Sequence, residues 1–275
     1  MSENVTPAQI EAIMRNVVAE ENYSIARTFY QIRKKNYIIN CDFIQDVLGP
    51  MMESPRLVRT DADIKVAVRA WANPATRAAA EITYGHISDW ETSQVTNMEK
   101  LFFGDTYYGG DANMRSFNDD ISRWDTSNVT DMNHMFYHAY AFNGDLSRWV
   151  TSNVTDMNHM FYHAYAFNGD LSRWVTSNVI TMNHMFCNAP AFNGDLSRWD
   201  TSNVTTMEFM FNNAHAFNGD LSRWDTSNVT TMMGMFSNAH AFNGDLSRWD
   251  TSNVTTMEYM FYDAHAFNGD LSRWD

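Results

Sequence analysis

Residues 199–223 read WDTSNVTTMEFMFNNAHAFNGDLSR, and this 25-residue unit recurs with small changes along most of the chain. Trp124, Trp149, Trp174, Trp199, Trp224, Trp249 and Trp274 mark its starts, 25 residues apart without one slip, and residues 126–150 and 151–175 are identical. A fixed period of this length is the signature of stacked coils, each burying an apolar face against its neighbours. An active site needs unlike residues converging on one point. Uniform repetition points instead to a non-enzymatic chain whose surface is built of columns of like residues.

Inside one unit the apolar residues are Leu196, Trp199, Val204, Met207, Met210, Phe211, Ala214 and Phe217. Val204, Met207, Met210, Phe211 and Ala214 fall at helical spacing, and Thr205 stands where a cap would, which predicts a helix of about two turns. Asn218-Gly219-Asp220 is a turn signal, and Leu221–Thr226 then reads as a short extended segment. The predicted fold is an α/β repeat solenoid, leucine-rich-repeat-like, with one short strand and one short helix per coil. A strand spacing of about 4.8 Å would give a stack on the order of 35 Å long, with the helices on its convex side.

Residues 1–80 are a different kind of sequence and predict an α-helical N-terminal cap, needed because a first coil would otherwise expose its apolar face. Thr6-Pro7 with Gln9 opens a first helix, running through Val18. A second is expected from Ile25 to Lys35 and a third around Phe43–Val47. Thr60 with Asp63 opens a fourth, whose inner face holds Ile64, Val68 and Trp71. Asn73-Pro74 ends it, and an Ala-rich turn over 75–81 leads on. The repeat region spans 81–275: a degenerate coil from Trp90, then six regular units from Trp124 to Arg273. Trp90 to Trp124 is 34 residues, so nine extra ones make an excursion over 103–116, around GDTYYGGDANMR.

The string F-N-x-D-[IL]-S-x-W-D-T-S-N-V-T-x-M-x-x-M-F resembles the BspA-like surface-protein repeat, a relative of leucine-rich repeats whose biochemical role is unknown. The segment AVRAWANPATRAAAEITYGHISDWETSQVTNMEKLF is similar to a common lead-in to such arrays, so the resemblance covers about residues 62–275. It implies the solenoid fold, and for family members on bacterial surfaces an adhesive, binding role.

On the strand reading, Trp224 and Thr226 point inward while Arg223, Asp225 and Ser227 point out. An arginine column (Arg123, Arg148, Arg173, Arg198, Arg223, Arg248, Arg273) then runs beside an acidic one (Asp125, Asp200, Asp225, Asp250). The plain reading is mutual neutralisation of neighbouring columns. The functional reading is a polar face that docks a protein or a glycan, with Val150 and Val175 as its apolar centre. Asn153 and its equivalents read as an internal amide ladder, and Asp145 and its equivalents as turn formers. The His134/His138 and His159/His163 pairs have metal-compatible spacing, but later units replace them, so they read as a solvent-facing column, as do His215, His240 and His265. The methionine pairs read as core filling. Neither a metal nor any other cofactor is expected.

Two interruptions of the repeat attract functional weight. Tyr107 and Tyr108 sit at the Gly-flexed tip of the excursion, and exposed aromatics there make a binding contact. The last coil, with Leu271, presents an open layer that invites a partner or a second copy of the chain. The leading function is therefore an interaction or assembly scaffold. The alternative is binding to an ordered lattice or glycan through Thr126 and its equivalents, Thr151, Thr176, Thr201, Thr226 and Thr251.

A formal charge of −14 argues against nucleic acid, whose phosphates call for a basic stripe. No stretch approaches the roughly 18 apolar residues of a spanning helix. The opening MSENVTPAQIEAIMRN has no signal-peptide pattern, and Asn-Val-Thr recurs at Asn128, Asn153, Asn203, Asn228 and Asn253, where glycans on neighbouring coils would crowd. An intracellular location, or one inside a particle, is expected. Cys41 and Cys187 stand far apart, so no disulfide framework is expected.

Overall fold

Trp71, buried completely in a helix ahead of the repeats, shows how the repeat region is closed at its N-terminal side. The computed structural model describes residues 57–274; the helices expected earlier, and Cys41, lie outside these. Strand β1 (Val58–Thr60) leads into helix α1 (Ile64–Ala72) through a tight Thr60–Asp63 turn, in which the Asp63 carboxylate accepts the Thr60 N–H at 2.8 Å. The inward face of α1 is Ile64, Ala67, Val68 and Trp71, close to the expected set, and Asn73 ends it. The Ala-rich segment is not a turn. Arg77–Tyr84 form a second helix, α2, because alanine's helix propensity outweighs the preceding break. Gly85, at φ 75°, closes it.

The chain then passes through a 3₁₀ turn (Ile87–Asp89) into strand β2 (Glu91–Gln94), which pairs in parallel with β1. Arg59, 2% exposed, lies over the rings of Tyr84 and Trp90 at 5.0 and 5.4 Å and bonds Asp63 at 2.6 Å. Asp119 receives both the Trp71 indole N–H (3.0 Å) and the Arg77 guanidinium (2.6 Å). These contacts fasten α1 and α2 to the repeats.

From Trp124 onward each coil lies on the one before, with a parallel bridge at one position per coil: Asp131, Asp156, Thr181, Thr206, Thr231 and Thr256 in succession. All eight apolar positions quoted above are buried at 3% exposure or less. The secondary structure around them differs from expectation. Among the described residues no helix forms in the coils, and the segment Leu221–Thr226 is a turn in which the Trp224 N–H reaches the Leu221 carbonyl. The parallel bridges fall instead at the start of the segment expected to be helical.

The reason is visible in the backbone. Phe209 and Asn213 adopt φ of 50° and 56°, and His134 and His138, His159 and His163, and the equivalents in other coils are left-handed too. A left-handed residue every four positions cannot continue a right-handed helix. The segment becomes a string of four-residue turns (Met210 N–H to Met207 O, Asn212 to Phe209, Ala214 to Phe211). Alternate peptide units are left free to bond across coils: Met207, Phe209, Phe211 and Asn213 donate to Thr231, Met233, Met235 and Ser237 of the next coil. These four N–H groups all point toward the C-terminal end, whereas Thr205, at the start of the segment, donates back to the Ile180 carbonyl at 2.9 Å. Neighbouring coils thus satisfy backbone groups that a helix would satisfy internally.

Columns of rings fill the interior. Each indole N–H also staples its coil backward, as Trp199 Nε1 does to the Leu171 carbonyl at 3.1 Å. The spacing of equivalent rings varies across the coil. Trp199 to Trp224 is 6.4 Å, Phe192 to Phe217 5.9 Å, Phe186 to Phe211 5.7 Å, and Tyr137 to Tyr162 4.5 Å. Unequal steps bend a stack toward its shorter side. The Trp side is therefore convex and the bridge side, carrying the left-handed turns, concave, the reverse of the expected arrangement.

Candidate functional site

The concave side is lined by columns that the left-handed residues project outward. His134, His159 and His184 stack at 4.4 and 4.5 Å, nearly parallel. Beside them run Tyr137 and Tyr162, then His138 and His163, then Tyr140 and Tyr165 at 4.8 Å. The histidines of the first column are not solvent-facing. They are largely enclosed, and the Nδ1 atoms of His159 and His184 are buried with no hydrogen-bond partner. Burial disfavours the imidazolium: it holds His134 down to about 4, helped by Lys100, and His159 down to about 3, helped by the neighbouring His134 and His184. His184 is lowered by burial as well, and His163 is held at about 4. The same burial raises Tyr137 and Tyr162.

The excursion stands at the N-terminal rim of this side and is braced at its base. The Arg115 guanidinium donates to the Gly104 carbonyl at 2.9 Å and lies 5.6 Å from the Tyr140 ring centre. Asp105, 7% exposed, accepts the Tyr107 N–H and comes within 3.9 Å of His138 Nδ1. A Cβ on Gly110 would fall 2.5 Å from the Phe103 carbonyl oxygen, so only glycine lets the loop fold back this closely. From that base Tyr107 and Tyr108 project at 86% and 71% exposure, their rings edge to face at 4.8 Å.

The charged columns lie elsewhere, beside the Trp positions on the convex side. Arg123, Arg148, Arg173, Arg198, Arg223 and Arg248 are exposed, as are Asp125, Asp200, Asp225 and Asp250. Val150 and Val175 are exposed at 45% and 46%. The acidic column is tied down locally: Asp200 accepts the Ser202 N–H and hydroxyl, and these bonds hold its carboxyl below the usual range. The arginines instead influence the Asn-Gly-Asp aspartates, as Arg148 helps lower Asp145, whose main stabilisation comes from Ser147. Of the arginine column only Arg123 is within ion-pair range of an acid among the described residues, Asp89 at 3.9 Å.

Two other polar columns are structural. Thr126 and its equivalents are buried, and the hydroxyls of Thr126, Thr151, Thr176, Thr201 and Thr226 bond the following coil, as Thr201 does to the Asp225 carbonyl at 2.8 Å. Asn153 and its equivalents are exposed at their rim, and each amide donates to a serine carbonyl of the preceding coil, 2.7 Å for Asn203 to Ser177. A third ladder, unread in the sequence, uses the Asn-Gly-Asp asparagines: each side-chain carbonyl accepts the next one's N–H, as Asn218 from Asn243 at 2.8 Å. Cys187 is buried, its thiol pushed up to about 12 by desolvation, so it is a poor nucleophile.

At the last described coil Leu271 lines an open hollow of about 450 Å³ together with Met257, Met260, Phe261 and Trp274. Tyr259 and Tyr262 stand exposed at its edge, at 64% and 62%. Met257, Tyr259, Phe261 and Asp263 occupy the positions whose N–H groups cross to a following coil elsewhere. Among the described residues those four N–H groups have no acceptor.

Residues 73–199 and 191–275 match a family described as Mycoplasma protein of unknown function, DUF285. No curated protein and no solved structure matches the chain. Among the described residues no helix is long and apolar enough to cross a membrane.

Proposed function

The chain belongs to this repeat family of unknown function, and from that premise we propose that it is a curved repeat solenoid working as a non-enzymatic interaction scaffold for a protein partner. The observation that carries the reading is the Tyr107–Tyr108 pair, held far into solvent on a loop braced by Arg115 and Asp105. Large exposed aromatics on a pre-ordered base contribute binding area with little loss of conformational entropy. They adjoin the concave side, where solenoids offer extended contact surfaces. The likeness to BspA-like surface repeats belongs to the same proposal and favours binding over catalysis.

The lattice alternative loses support from the Thr126 column, whose hydroxyls are already bonded within the stack.

The test is site-specific photo-crosslinking in extract of the cells that express the chain. Tyr107→p-benzoylphenylalanine is expected to give a discrete protein adduct that weakens about tenfold with Tyr108→Ala, a change in line with loss of a single hot spot. Arg198→p-benzoylphenylalanine, on the opposite side, is expected to give none. An adduct at 198 and none at 107 would move the contact to the charged columns, where reversing Arg173, Arg198 and Arg223 to glutamate is the corresponding test. No adduct at either position removes the reading.

A further inference from the structure

One cluster in the repeats is not explained by stacking. His240 Nε2 lies 3.6 Å from one oxygen of Asp263, and His265 Nε2 lies 3.2 Å from the other. One ligand atom from each of the three residues falls within 4.8 Å of the others. We propose that His240, Asp263 and His265 bind one first-row transition-metal dication, zinc being the best-matched ion.

The geometry suits such an ion. Zinc–nitrogen and zinc–oxygen bonds of about 2.0–2.2 Å set tetrahedral ligand atoms about 3.3–3.6 Å apart, which the two observed separations nearly bracket. Two imidazoles and one carboxylate leave a fourth position for water, or for a carboxylate or imidazole from a partner. All three side chains are exposed, at 42%, 45% and 69% for His240, Asp263 and His265, and the small closure needed between the two imidazoles works only against the stacking of His240 on His215 at 4.6 Å.

The backbone places the ligands. Asp263 is a left-handed residue, φ 58°, and this conformation brings its side chain against those of the residue two positions on and of the coil before. The same relation brings His163 to Tyr165, at 2.8 Å. Down the column, Asp263 is equivalent to His138, His163, Asn188, Asn213 and Asn238. One coil earlier His215 and His240 stack at 4.6 Å in the same relation, but the residue between them is Asn238, which supplies no charge. The carboxylate therefore appears only where the two histidines can use it. This site stands apart from the scaffold reading, which uses the Tyr107 loop.

Isothermal titration of the whole chain with ZnCl₂ at pH 7.5 tests it. One site per chain is expected, and Asp263→Asn is expected to weaken it by about tenfold or more, since losing even a group that only orients a ligand costs about 10–100-fold. This variant folds like its neighbours, because asparagine already occupies the equivalent position in three coils, and it removes no histidine. As a second readout, zinc should shift the imidazole NMR signals of His240 and His265 and leave those of His134 and His159 in place. Equal zinc affinity in wild type and Asp263→Asn, or no zinc binding by wild type, overturns the proposal.

Discussion

Trp199→Ala is expected to lower the unfolding free energy by about 3–5 kcal/mol, the range for removing a fully enclosed aromatic. Trp199 is 3% exposed, its ring stacks 6.4 Å from both Trp174 and Trp224, and its indole N–H bonds the Leu171 carbonyl. The neighbouring rings are held by their own staples, so the space left behind cannot collapse. Trp199→Phe keeps most of the packing and loses the staple. The Leu171 carbonyl still accepts the Trp174 N–H, so that variant should lose only about 1–2 kcal/mol. Arg198→Ala, one residue away on an exposed side chain, should change stability by less than about 0.5 kcal/mol. Urea midpoints for the three variants check this order; a Trp199→Ala midpoint near that of Arg198→Ala would mean that the ring columns do not hold the coils together.

The second expectation concerns acid. The enclosed imidazoles of His134 and His159 are held down to about 4 and about 3, against about 6.5 when unfolded. Between these values the unfolded chain binds more protons than the folded one, so stability falls as pH falls. The contribution is fully present above about pH 6.5 and is lost progressively toward pH 4 to 3. By pH 5 each of the two should have cost about 1 kcal/mol, after halving the ideal linkage value for solvent screening of partly enclosed groups. His184 and His163 act in the same direction. The urea midpoint should therefore drop between pH 7.5 and 5.0. Most of that drop should vanish when His134, His159 and His184 are all replaced by asparagine, a residue that tolerates the left-handed backbone. Equal or greater stability at pH 5.0 would contradict the enclosure of the column.

These expectations rest on features of unequal legibility. The buried set was readable because Leu, Trp, Val, Met and Phe repeat at fixed offsets, and every position quoted from the unit beginning at Trp199 is interior. The helix was misread because offsets of 0, 3, 6, 7 and 10 also satisfy a string of four-residue turns. The signal against a helix was present: Asn188, Asn213 and Asn238 recur in one column, and Gly234 stands in the other, the residues that most readily turn left-handed. Without the helix, the expected convex side became the concave one. Curvature itself follows from coil geometry, which residue types do not encode. The Tyr107–Tyr108 tip was legible because it interrupts the period, whereas its bracing by Arg115 and Asp105 involves Tyr140 and His138 of the following coil. The histidine–aspartate cluster was missed because His240 and Asp263 meet only across coils. Asp263 alone brings a carboxylate to a column of histidine and asparagine, and that departure was the available clue.

The central claim is that alternate residues of each coil donate their peptide N–H groups to the following coil, with no helix inside the coils. Amide hydrogen exchange read residue by residue tests it most directly. Phe186 and Asn188 donate to Met210 and Asn212 of the next coil, at 2.9 and 2.7 Å, and should be among the slowest amides in the chain. Phe261 and Asp263, their equivalents in the last coil, should exchange almost as freely as an unfolded segment. If the coils were helical, Phe261 and Asp263 would bond within their own coil, and protection matching that of Phe186 and Asn188 would contradict the account.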